Sequence, residues 1–325
     1  MSAAAELTHL INAHQLSQAI CVAAELGVAD LLADGARTSN DLAAATRTNE
    51  DTLYRLLRAL ASVGILSEEA DRRFGLGALG EPLRTDAPDS VAAIAVHVGQ
   101  PYIREAWSAL GEAVRTSENA FRLAHGVSNW EYRAQRPDEN RIFDEYIAAN
   151  TRRGARALLD AYDFGRFETI VDVGGGNGTL LAALRTEYPS LHGIVFDQPH
   201  VVAGIDSGDG IDVVGGSFFD SVPDGGDAYV LKWILHDWED EQSVAILRNV
   251  RRTGGTLLVI ERLVAPPNEG PETKLTDLNM LVGPGGRERT LDEYSALFEA
   301  AGYRLVTATA TAGDLFVLEG EPAGP

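Results

Sequence analysis

The chain has 325 residues and carries 48 Asp and Glu against 27 Lys and Arg, so its formal net charge is −21. A protein this acidic is poorly suited to a phosphate backbone, which disfavours nucleic acid as a partner. A hydrophobic fraction of 45% and a charged fraction of 23% are close to the averages of globular proteins, which excludes collagen, coiled coil and disorder as the main architecture. The length indicates about two domains.

The cysteine content and the search for a signal peptide or a membrane span indicate the cell compartment. Cys21 is the only cysteine, which excludes an intrachain disulfide and a cysteine-rich metal site, and its apolar neighbours favour a small core residue. The first residues lack the basic start and apolar run of a signal peptide, and no stretch of about 18 apolar residues indicates a membrane span. We therefore expect a soluble cytoplasmic protein.

The first 160 residues have the periodicity of helices. Apolar residues recur at helical spacing over 7–28, and two further helices are predicted, one after the capping residues 38–40 and one over 49–64. A short hairpin over 68–76 follows them. Helix, turn, helix and hairpin in this order are typical of a winged helix.

A winged helix has two interpretations, a DNA-binding module or a packing surface. DNA binding requires a basic second helix, but here Arg55 and Arg58 are balanced by Glu50 and Asp51. The first helix is also too apolar to lie alone on a surface, and burial against a second subunit would satisfy it. The pattern therefore favours a homodimer interface over a nucleic-acid site, with a ligand-responsive transcription regulator as the alternative.

From about Phe164 the pattern changes to short β-rich segments that alternate with helices. Strands are predicted over residues 169–173, 193–197, 212–214, 228–231 and 256–260, with helices over 179–188, 199–205 and 240–252 between them. Such alternation predicts a parallel, doubly wound α/β sheet. After a helix over 291–301, two strands over 303–309 and 315–319 have no helix between them, which predicts an antiparallel last hairpin.

A glycine-rich loop follows the first strand of this sheet. The sequence DVGGGNG has glycines at Gly174, Gly176 and Gly178, which allow a tight turn and a close backbone approach to a ligand. The next strand ends at Asp197, whose carboxylate can accept both hydroxyls of a ribose. A purely structural turn is the alternative, but the combination favours a nucleoside cofactor. Thr179 stands where a dinucleotide motif would have its third glycine.

A histidine follows the fourth strand, at the same carboxyl edge. His236 in LKWILHDW can take a proton from a hydroxyl group near neutral pH, although a structural histidine is the alternative. Glu261 ends the fifth strand and Glu288 precedes the last helix, so either can accept from the other ring nitrogen. A salt bridge of Glu288 to a neighbouring arginine, Arg287 or Arg289, is the competing interpretation. A metal site is not expected, because no ligand cluster of histidines and carboxylates is evident.

These motifs together resemble a known family. The chain resembles the caffeate/hydroxyneurosporene-type small-molecule O-methyltransferases, and within them the bacterial branch that tailors secondary metabolites, including antibiotics. The motifs that carry this resemblance are, in order, DVGGGNG, FDQPHVV, GSFFDSVP, LKWILHDW, VIERLV and GGRERT. The resemblance implies a class I methyltransferase Rossmann-like sheet with the antiparallel last hairpin and an N-terminal winged-helix dimerisation domain. We expect the dimerisation domain over residues 1–100, a helical connector lining the acceptor pocket over 101–160 and the catalytic domain over 161–325.

The resemblance also implies roles for individual residues. S-adenosylmethionine is the expected cofactor, without a metal. The cofactor positions are Gly174, Gly176, Asp197, Ser217, Phe218 and Lys232. Ser217 departs from the plant pattern, which has a carboxylate on the adenine side. His236 matches the general base, with Glu261 and Glu288 as its flanking acids.

The acceptor positions come from three segments. Asp237 and Asp277 fall in matching motifs, with Asn279 in the same TDLNM stretch, and Tyr146 and Asn150 share a face of a predicted helix. Trp107 and Trp130 are either flat walls for an aromatic ring or buried scaffold.

The predicted reaction is methylation of a phenolic or hydroxylated aromatic small molecule, with His236 removing the hydroxyl proton. N-methylation, or a non-methylating reaction on the same fold, is the alternative within the family. The histidine favours O-methylation, because drifted members typically replace it.

Overall fold

The computed structural model describes residues 2–205, 207–208 and 210–324. The chain forms two compact units, one made of the chain up to Arg104 with Asp138–Arg153, the other of Glu105–Pro137 with the chain from Gly154 onward. A separate connector over residues 101–160 stays a prediction.

The α-helices and strands of the described residues are as follows. The helices are α1 (Ala3–Glu25), α2 (Val28–Leu31), α3 (Ser39–Thr46), α4 (Glu50–Ala61), α5 (Ala92–Gly99), α6 (Pro101–Ser108), α7 (Leu110–Thr116), α8 (Ala120–His125), α9 (Asn129–Ala134), α10 (Pro137–Ala161), α11 (Thr179–Glu187), α12 (Pro199–Val202), α13 (Asp240–Arg251), α14 (Pro271–Val282) and α15 (Leu291–Ala300). Short 3-10 turns lie at Ala70–Arg72, Glu81–Leu83, Phe164–Arg166 and Leu235–Asp237. The strands are β1 (Arg37–Thr38), β2 (Leu66–Glu69), β3 (Arg73–Leu76), β4 (Thr169–Val173), β5 (His192–Asp197), β6 (Ile211–Gly215), β7 (Ala228–Lys232), β8 (Thr256–Glu261), β9 (Tyr303–Ala310) and β10 (Phe316–Pro322).

The first unit contains the predicted winged helix. Thr38 and Asn49 cap α3 and α4 by accepting hydrogen bonds from the backbone N–H groups of Asp41 and Thr52. Strands β1, β3 and β2 form an antiparallel sheet beside these helices. The core is apolar, and Leu42, Leu57, Leu60 and Phe74 are fully buried in it.

Helix α1 extends beyond this core. Its residues as far as Leu16 are exposed, including Leu7, Leu10 and Ile11 at 58%, 63% and 64% exposure. These three side chains share one face of the helix at i, i+3 and i+4 spacing. The first half of α1 therefore carries an apolar face that the first unit does not cover.

The second unit is built on a seven-stranded sheet of order β6-β5-β4-β7-β8-β10-β9. Strands β4 to β8 pair in parallel, whereas β10 is antiparallel to both β8 and β9. The predicted α/β sheet with an antiparallel last hairpin is therefore confirmed. Parallel pairing brings the carboxyl ends of β4 to β8 to one edge of the sheet.

Both faces of this sheet are buried, as a doubly wound sheet requires. On one face, Ile246 and Leu247 of α13 and Phe298 of α15 pack on the sheet. On the other, Leu158 of α10 and Leu181 of α11 do so. None of the described helices combines the length and the apolar character needed to cross a membrane.

Candidate active site

The loop after β4 has a backbone conformation that favours glycine at three positions. Gly174, Gly176 and Gly178 have φ angles of 74°, 55° and 78°, and residues other than glycine rarely adopt such positive values. A Cβ on Gly174 would also lie 2.3 Å from Cδ1 of Ile234. The loop is tied to the next strand, since the backbone N–H of Gly174 donates to the Phe196 carbonyl at 2.7 Å. The backbone is thus held open at the carboxyl edge of the sheet.

Asp197 at the end of β5 faces this loop. Its Oδ2 accepts from the backbone N–H of Gly176 at 2.9 Å, and its Oδ1 accepts from that of Gln198 at 2.6 Å. Each carboxylate oxygen keeps a second lone pair for a ligand. Burial raises the pKa of Asp197 above its ordinary value, against the lowering effect of these two hydrogen bonds. The carboxylate is therefore fixed in place and still able to accept.

A second carboxylate lies beneath the same loop. Asp172 at the end of β4 is 3% exposed, and its Oδ2 accepts no hydrogen bond from the residues that the structure describes. Burial raises the pKa of Asp172 to about 7, although the ammonium of Lys232 lowers it. Burial in turn lowers the pKa of Lys232 to about 7, although Asp172 and Glu261 raise it. An orphaned buried acceptor of this kind fits a donor group on a ligand.

Ser217 and Phe218 follow β6 at this edge. Ser217 Oγ accepts from the backbone N–H of Phe219 at 3.3 Å, so the hydroxyl caps its own turn. The Phe218 carbonyl accepts from Asn249 at 2.9 Å, and the ring lies edge-on to Trp238 with 6.0 Å between centroids. The Phe218 side chain also comes within 3.8 Å of the position that a Cβ on Gly174 would take. Ser217 and Phe218 thus flank the glycine loop with one polar and one apolar group.

His236 lies on the 3-10 turn Leu235–Asp237 that follows β7, and it is 7% exposed. Its Nδ1 is 3.0 Å from Glu288 Oε1 and 3.6 Å from Glu261 Oε2, and its Nε2 is 3.5 Å from Asp237 Oδ1. Oε1 of Glu261 accepts from the backbone N–H groups of Ile234 at 3.0 Å and His236 at 3.4 Å. The structure therefore brings together the predicted base and both predicted acids.

The carboxylates dominate the electrostatics of this cluster. Burial disfavours an imidazolium, but Glu261 and Asp237 outweigh burial and raise the pKa of His236 from 6.5 to about 10. The hydrogen bond from His236 to Glu288 acts in the same direction. Burial raises the pKa of Glu261 to about 7 and that of Asp237 to about 6, although His236 lowers both. The surrounding carboxylates therefore favour the protonated form of the ring.

Glu288 does not form the salt bridge considered as its alternative role. The neighbouring arginines pair elsewhere, Arg287 with Glu239 and Arg289 with Asp240. The backbone N–H of Glu288 donates to Asp277 Oδ1 at 2.9 Å. Asp277, predicted to line the acceptor pocket, thus holds the segment that carries Glu288.

The two residues predicted on TDLNM lie on different faces of one helix. They lie on α14, a helix that the sequence patterns do not single out. Asn279 is two positions from Asp277, so its side chain is on a different face from the one that reaches Glu288. An acceptor role for Asn279 stays a prediction.

The sequence patterns suggest no metal-ligand cluster, and the structure groups three side chains of the kinds that bind metals. One potential ligand atom from each of His236, Glu261 and Glu288 lies within 4.8 Å of the others, close enough to hold a metal ion. His236 and Glu288 pair directly at 3.0 Å, while the Oε2 atoms of Glu288 and Glu261 are buried and accept no hydrogen bond from the described residues. The arrangement therefore fits direct pairing of the imidazole with the two carboxylates.

Tyr146 and Asn150 lie in the first unit, on α10. The Tyr146 ring stacks on His97 with 4.4 Å between centroids, and Asn150 Nδ2 donates to the Tyr146 carbonyl at 2.9 Å. Their predicted contact with the acceptor stays a prediction. Two tryptophans were considered as flat surfaces for an aromatic acceptor. Trp107 is 37% exposed. The Trp130 ring lies nearly parallel to that of Trp238, with 6.0 Å between centroids and 11° between planes.

The sequence patterns miss the role of Arg289. It is among the largest fully buried side chains and bonds to the turn that carries His236. Its position one residue after Glu288 is the only sequence signal that could have indicated this. Burial of an arginine depends on tertiary contacts that no local pattern records.

Two family models match the chain. The O-methyltransferase domain matches residues 107–304, and the O-methyltransferase dimerisation domain matches residues 8–86. The predicted winged helix falls within the second match, and the sheet edge described above falls within the first.

Characterised relatives are similar to this chain over most of its length. Phenazine O-methyltransferase PhzM of Lysobacter antibioticus is 41% identical over 329 residues, covering 97% of this chain and 95% of that protein. The mitomycin biosynthesis 6-O-methyltransferase of Streptomyces lavendulae is 38% identical, covering 89% of this chain and 86% of that protein. A relative named for nitrogen methylation, the 8-amino-8-demethylriboflavin N,N-dimethyltransferase of Streptomyces davaonensis, is 36% identical, covering 91% and 88%.

Solved structures of methyltransferases are also similar to this chain over nearly its whole length. The crystal structure of LaPhzM has a TM-score of 0.94 and 39% identity, covering 99% of this chain and 100% of that chain. Human N-acetylserotonin methyltransferase in complex with S-adenosylmethionine has a TM-score of 0.93 and 30% identity, covering 100% and 99%. NcsB1 from neocarzinostatin biosynthesis, in complex with S-adenosylmethionine and 2-hydroxy-5-methyl naphthoic acid, has a TM-score of 0.79 and 32% identity, covering 94% and 96%.

Proposed function

Because the chain belongs to the S-adenosylmethionine-dependent O-methyltransferases with an N-terminal dimerisation domain, we propose that it methylates a hydroxyl group of an aromatic small molecule, with His236 as the general base. The observation that carries this proposal is the buried pair of His236 and Glu288, 3.0 Å apart. The same family membership confirms the predicted fold class and the predicted cofactor.

The carboxyl edge of the sheet has the groups that this cofactor needs. S-adenosylmethionine supplies, when bound, an electrophilic methyl group on a positively charged sulfur. The fixed carboxylate of Asp197 can accept the ribose hydroxyls, and the orphaned oxygen of Asp172 can accept from an amino group. The other proposed cofactor residues are Gly174, Gly176, Ser217, Phe218 and Lys232.

His236 takes the acceptor proton at Nε2 in the proposed mechanism. When the ring is neutral, its Nδ1–H donates to Glu288, which leaves Nε2 as the unprotonated nitrogen and holds the ring in one orientation. Glu288 and Glu261 then stabilise the imidazolium that results. General-base assistance of this kind is worth about 100- to 10,000-fold in rate.

The raised pKa of His236 limits when the base is available. With a pKa of about 10, only a small fraction of rings is neutral near pH 7 in the ligand-free protein. As long as the pH is below the pKa, the neutral fraction increases tenfold for each unit by which the pH is raised. We therefore expect turnover to increase with pH through the neutral and alkaline range.

The same site separates oxygen from nitrogen as the methyl acceptor. A phenolic oxygen becomes a good nucleophile when it loses its proton, whereas an aromatic amine attacks as the neutral group and needs no base beforehand. A buried imidazole supported by Glu288 therefore favours a hydroxyl acceptor. The relative named as an N,N-dimethyltransferase is the reason to test this choice.

A matched pair of acceptors tests the proposed function. The purified enzyme and S-adenosylmethionine are incubated with a panel of bicyclic and tricyclic phenols and with the amine that corresponds to each phenol. We expect methyl transfer to a phenol at least about tenfold faster than to its amine. Equal or faster transfer to the amine would overturn the choice of oxygen.

The names of the relatives support an aromatic acceptor. Phenazine and naphthoic acid are both flat aromatic ring systems, and each names the chemistry of one similar protein. In this chain Trp238 comes directly after the His236 turn and lies nearly parallel to Trp130. A flat indole such as that of Trp238, two residues after His236, suits an aromatic ring.

The matched dimerisation domain supports a homodimer formed through the first unit. The uncovered apolar face of α1 is the surface that we assign to this contact. The cytoplasmic location and the absence of a nucleic-acid partner stay predictions.

A further inference from the structure

Arg289 is a fully buried arginine at the edge of the sheet that carries the site, with 0% of its surface exposed. A buried guanidinium is costly unless its donors are satisfied. Arginine has five N–H donors, and Arg289 makes five hydrogen bonds. Their acceptors and distances are Asp240 Oδ1 from Nε at 3.0 Å and from one terminal nitrogen at 2.8 Å, the Trp238 carbonyl at 2.7 Å, the Leu235 carbonyl at 2.9 Å and the Arg287 carbonyl at 3.4 Å.

Two of these acceptors enclose the turn that carries His236. The Leu235 and Trp238 carbonyls lie on either side of residues 236 and 237, so one planar guanidinium fixes both ends of that turn. From the other side, Glu261 accepts from the backbone N–H groups of Ile234 and His236. The backbone of the turn is therefore held at its carbonyls by a cation and at its amides by an anion.

The loop 285–290 that supplies Arg289 also supplies Glu288. The two side chains are adjacent in sequence, and one holds the imidazole while the other holds its backbone. The loop and the turn are also in direct backbone contact, because a Cβ on Gly286 would lie 2.1 Å from the His236 carbonyl oxygen. The loop is anchored to the sheet edge through the backbone N–H of Val264, which donates to the Arg289 carbonyl at 2.9 Å.

From these contacts we propose that Arg289 is a positioning residue for the methyl-transfer reaction, which it serves by holding the His236 turn so that the imidazole stays paired with Glu288. The proposal rests on the proposed function of His236 as the base. Arg289 does not touch the acceptor or the cofactor in this account. Its effect is on the position of Nε2, and misplacement of a catalytic group by about 1 Å can cost about 100-fold in rate.

Two substitutions test this role. Arg289→Lys keeps the buried charge but loses the planar fork that spans the two carbonyls. Asp240→Asn removes the negative charge that pairs with Arg289. The Asp240 side chain is 63% exposed, so this substitution leaves the core intact. Asp292→Asn is the matched control, because Asp292 lies in the first turn of α15 as Asp240 lies in that of α13. Thermal unfolding and S-adenosylhomocysteine affinity establish that each variant is folded.

The expected result is a loss in kcat that leaves cofactor affinity intact. Arg289→Lys lowers kcat at least about tenfold and Asp240→Asn at least about threefold, while the S-adenosylhomocysteine Kd of each stays within about twofold and Asp292→Asn matches wild type. Combining Arg289→Lys with Glu288→Gln costs clearly less than the product of the two single losses, because both act on the same ring.

Wild-type kcat in both Arg289→Lys and Asp240→Asn would overturn the proposal, as would a loss of cofactor affinity as large as the loss of kcat. If Arg289→Lys is unfolded, the kcat of Asp240→Asn decides. His236→Ala is measured in parallel. If it retains full turnover, the proposed function fails, whereas if it loses turnover and the two variants do not, only the positioning role fails.

Discussion

At the scale of single residues, the site depends on a competition between burial and charge around one imidazole. Burial alone would keep His236 neutral, but the carboxylates of Glu261, Asp237 and Glu288 surround it within 3.6 Å. The charges outweigh burial, and the pKa of His236 rises to about 10. The carboxylates that orient the ring therefore also bind its proton tightly.

This competition predicts the effect of Glu288→Gln on the pH dependence of turnover. The charged carboxylate raises the pKa of His236, so its removal lowers that pKa and the neutral ring becomes available at lower pH. We expect the acidic limb of the kcat/KM profile to move to lower pH by about 1 to 3 units. The maximal rate falls because the ring loses an orienting partner. The measurement is kcat/KM from pH 6 to 10 with one phenolic acceptor.

Glu241→Gln is the control for this profile, since Glu241 is exposed in the first turn of α13. Using the same acceptor in both variants removes the contribution of the acceptor's own ionisation. An acidic limb that stays at its wild-type position in Glu288→Gln would show that the carboxylate does not control the charge of His236.

At the scale of elements, helix α1 carries a face with no partner in its own unit. Leu10 and Ile11 are exposed by more than half, and each would contribute about 1.5 to 3 kcal/mol if fully buried. A double substitution, Leu10→Glu with Ile11→Glu, removes this gain and places two charges in the contact. We expect the dimer Kd to rise at least about 100-fold. Sedimentation velocity over a range of concentrations measures this shift.

Asn12→Glu adds a charge to the opposite face of the same helix and is the matched control. It should leave the dimer at wild-type strength. An unchanged mass for the double variant would place the dimer contact elsewhere on the first unit. Equal weakening by the control would attribute the effect to added charge on α1 in general.

The elements themselves were predictable to different degrees. The strands from β4 to β8 are short segments between turn signals, and the helices that follow β4, β5, β7 and β8 indicate a parallel sheet. The capping residues Thr38 and Asn49 also mark the starts of α3 and α4 where the structure has them. Helix α14 was missed because it begins at Pro271 after a proline-rich loop and lacks a continuous apolar face.

At the scale of the whole molecule, order along the chain predicts which side chains meet at one sheet edge but not how they pair. Glu261 and Glu288 could be placed near His236 because parallel strands bring their carboxyl ends together. That Glu288 contacts the ring while Arg287 and Arg289 pair elsewhere depends on the path of the loop 285–290. The burial of Arg289 depends on the same path, and a local pattern contains no record of it.

The acidic composition predicts little about the site. The charge of −21 argues against a basic recognition helix, and it contains no information on which acids are functional. Asp172, Asp197, Glu261 and Glu288 stand apart through burial and position at one edge of the sheet. The motifs already indicated Asp197, Glu261 and Glu288, whereas Asp172 was recognised only from its burial beneath the glycine loop.

In the proposed mechanism, His236 accepts the proton of a hydroxyl acceptor during methyl transfer. The most direct measurement compares kcat for a phenolic acceptor in wild type and His236→Ala, with His192→Ala as control, since His192 pairs with Asp212 away from the site. We expect at least about a tenfold loss of kcat in His236→Ala, with the S-adenosylhomocysteine Kd changed by less than about twofold. Unchanged turnover in His236→Ala would contradict it.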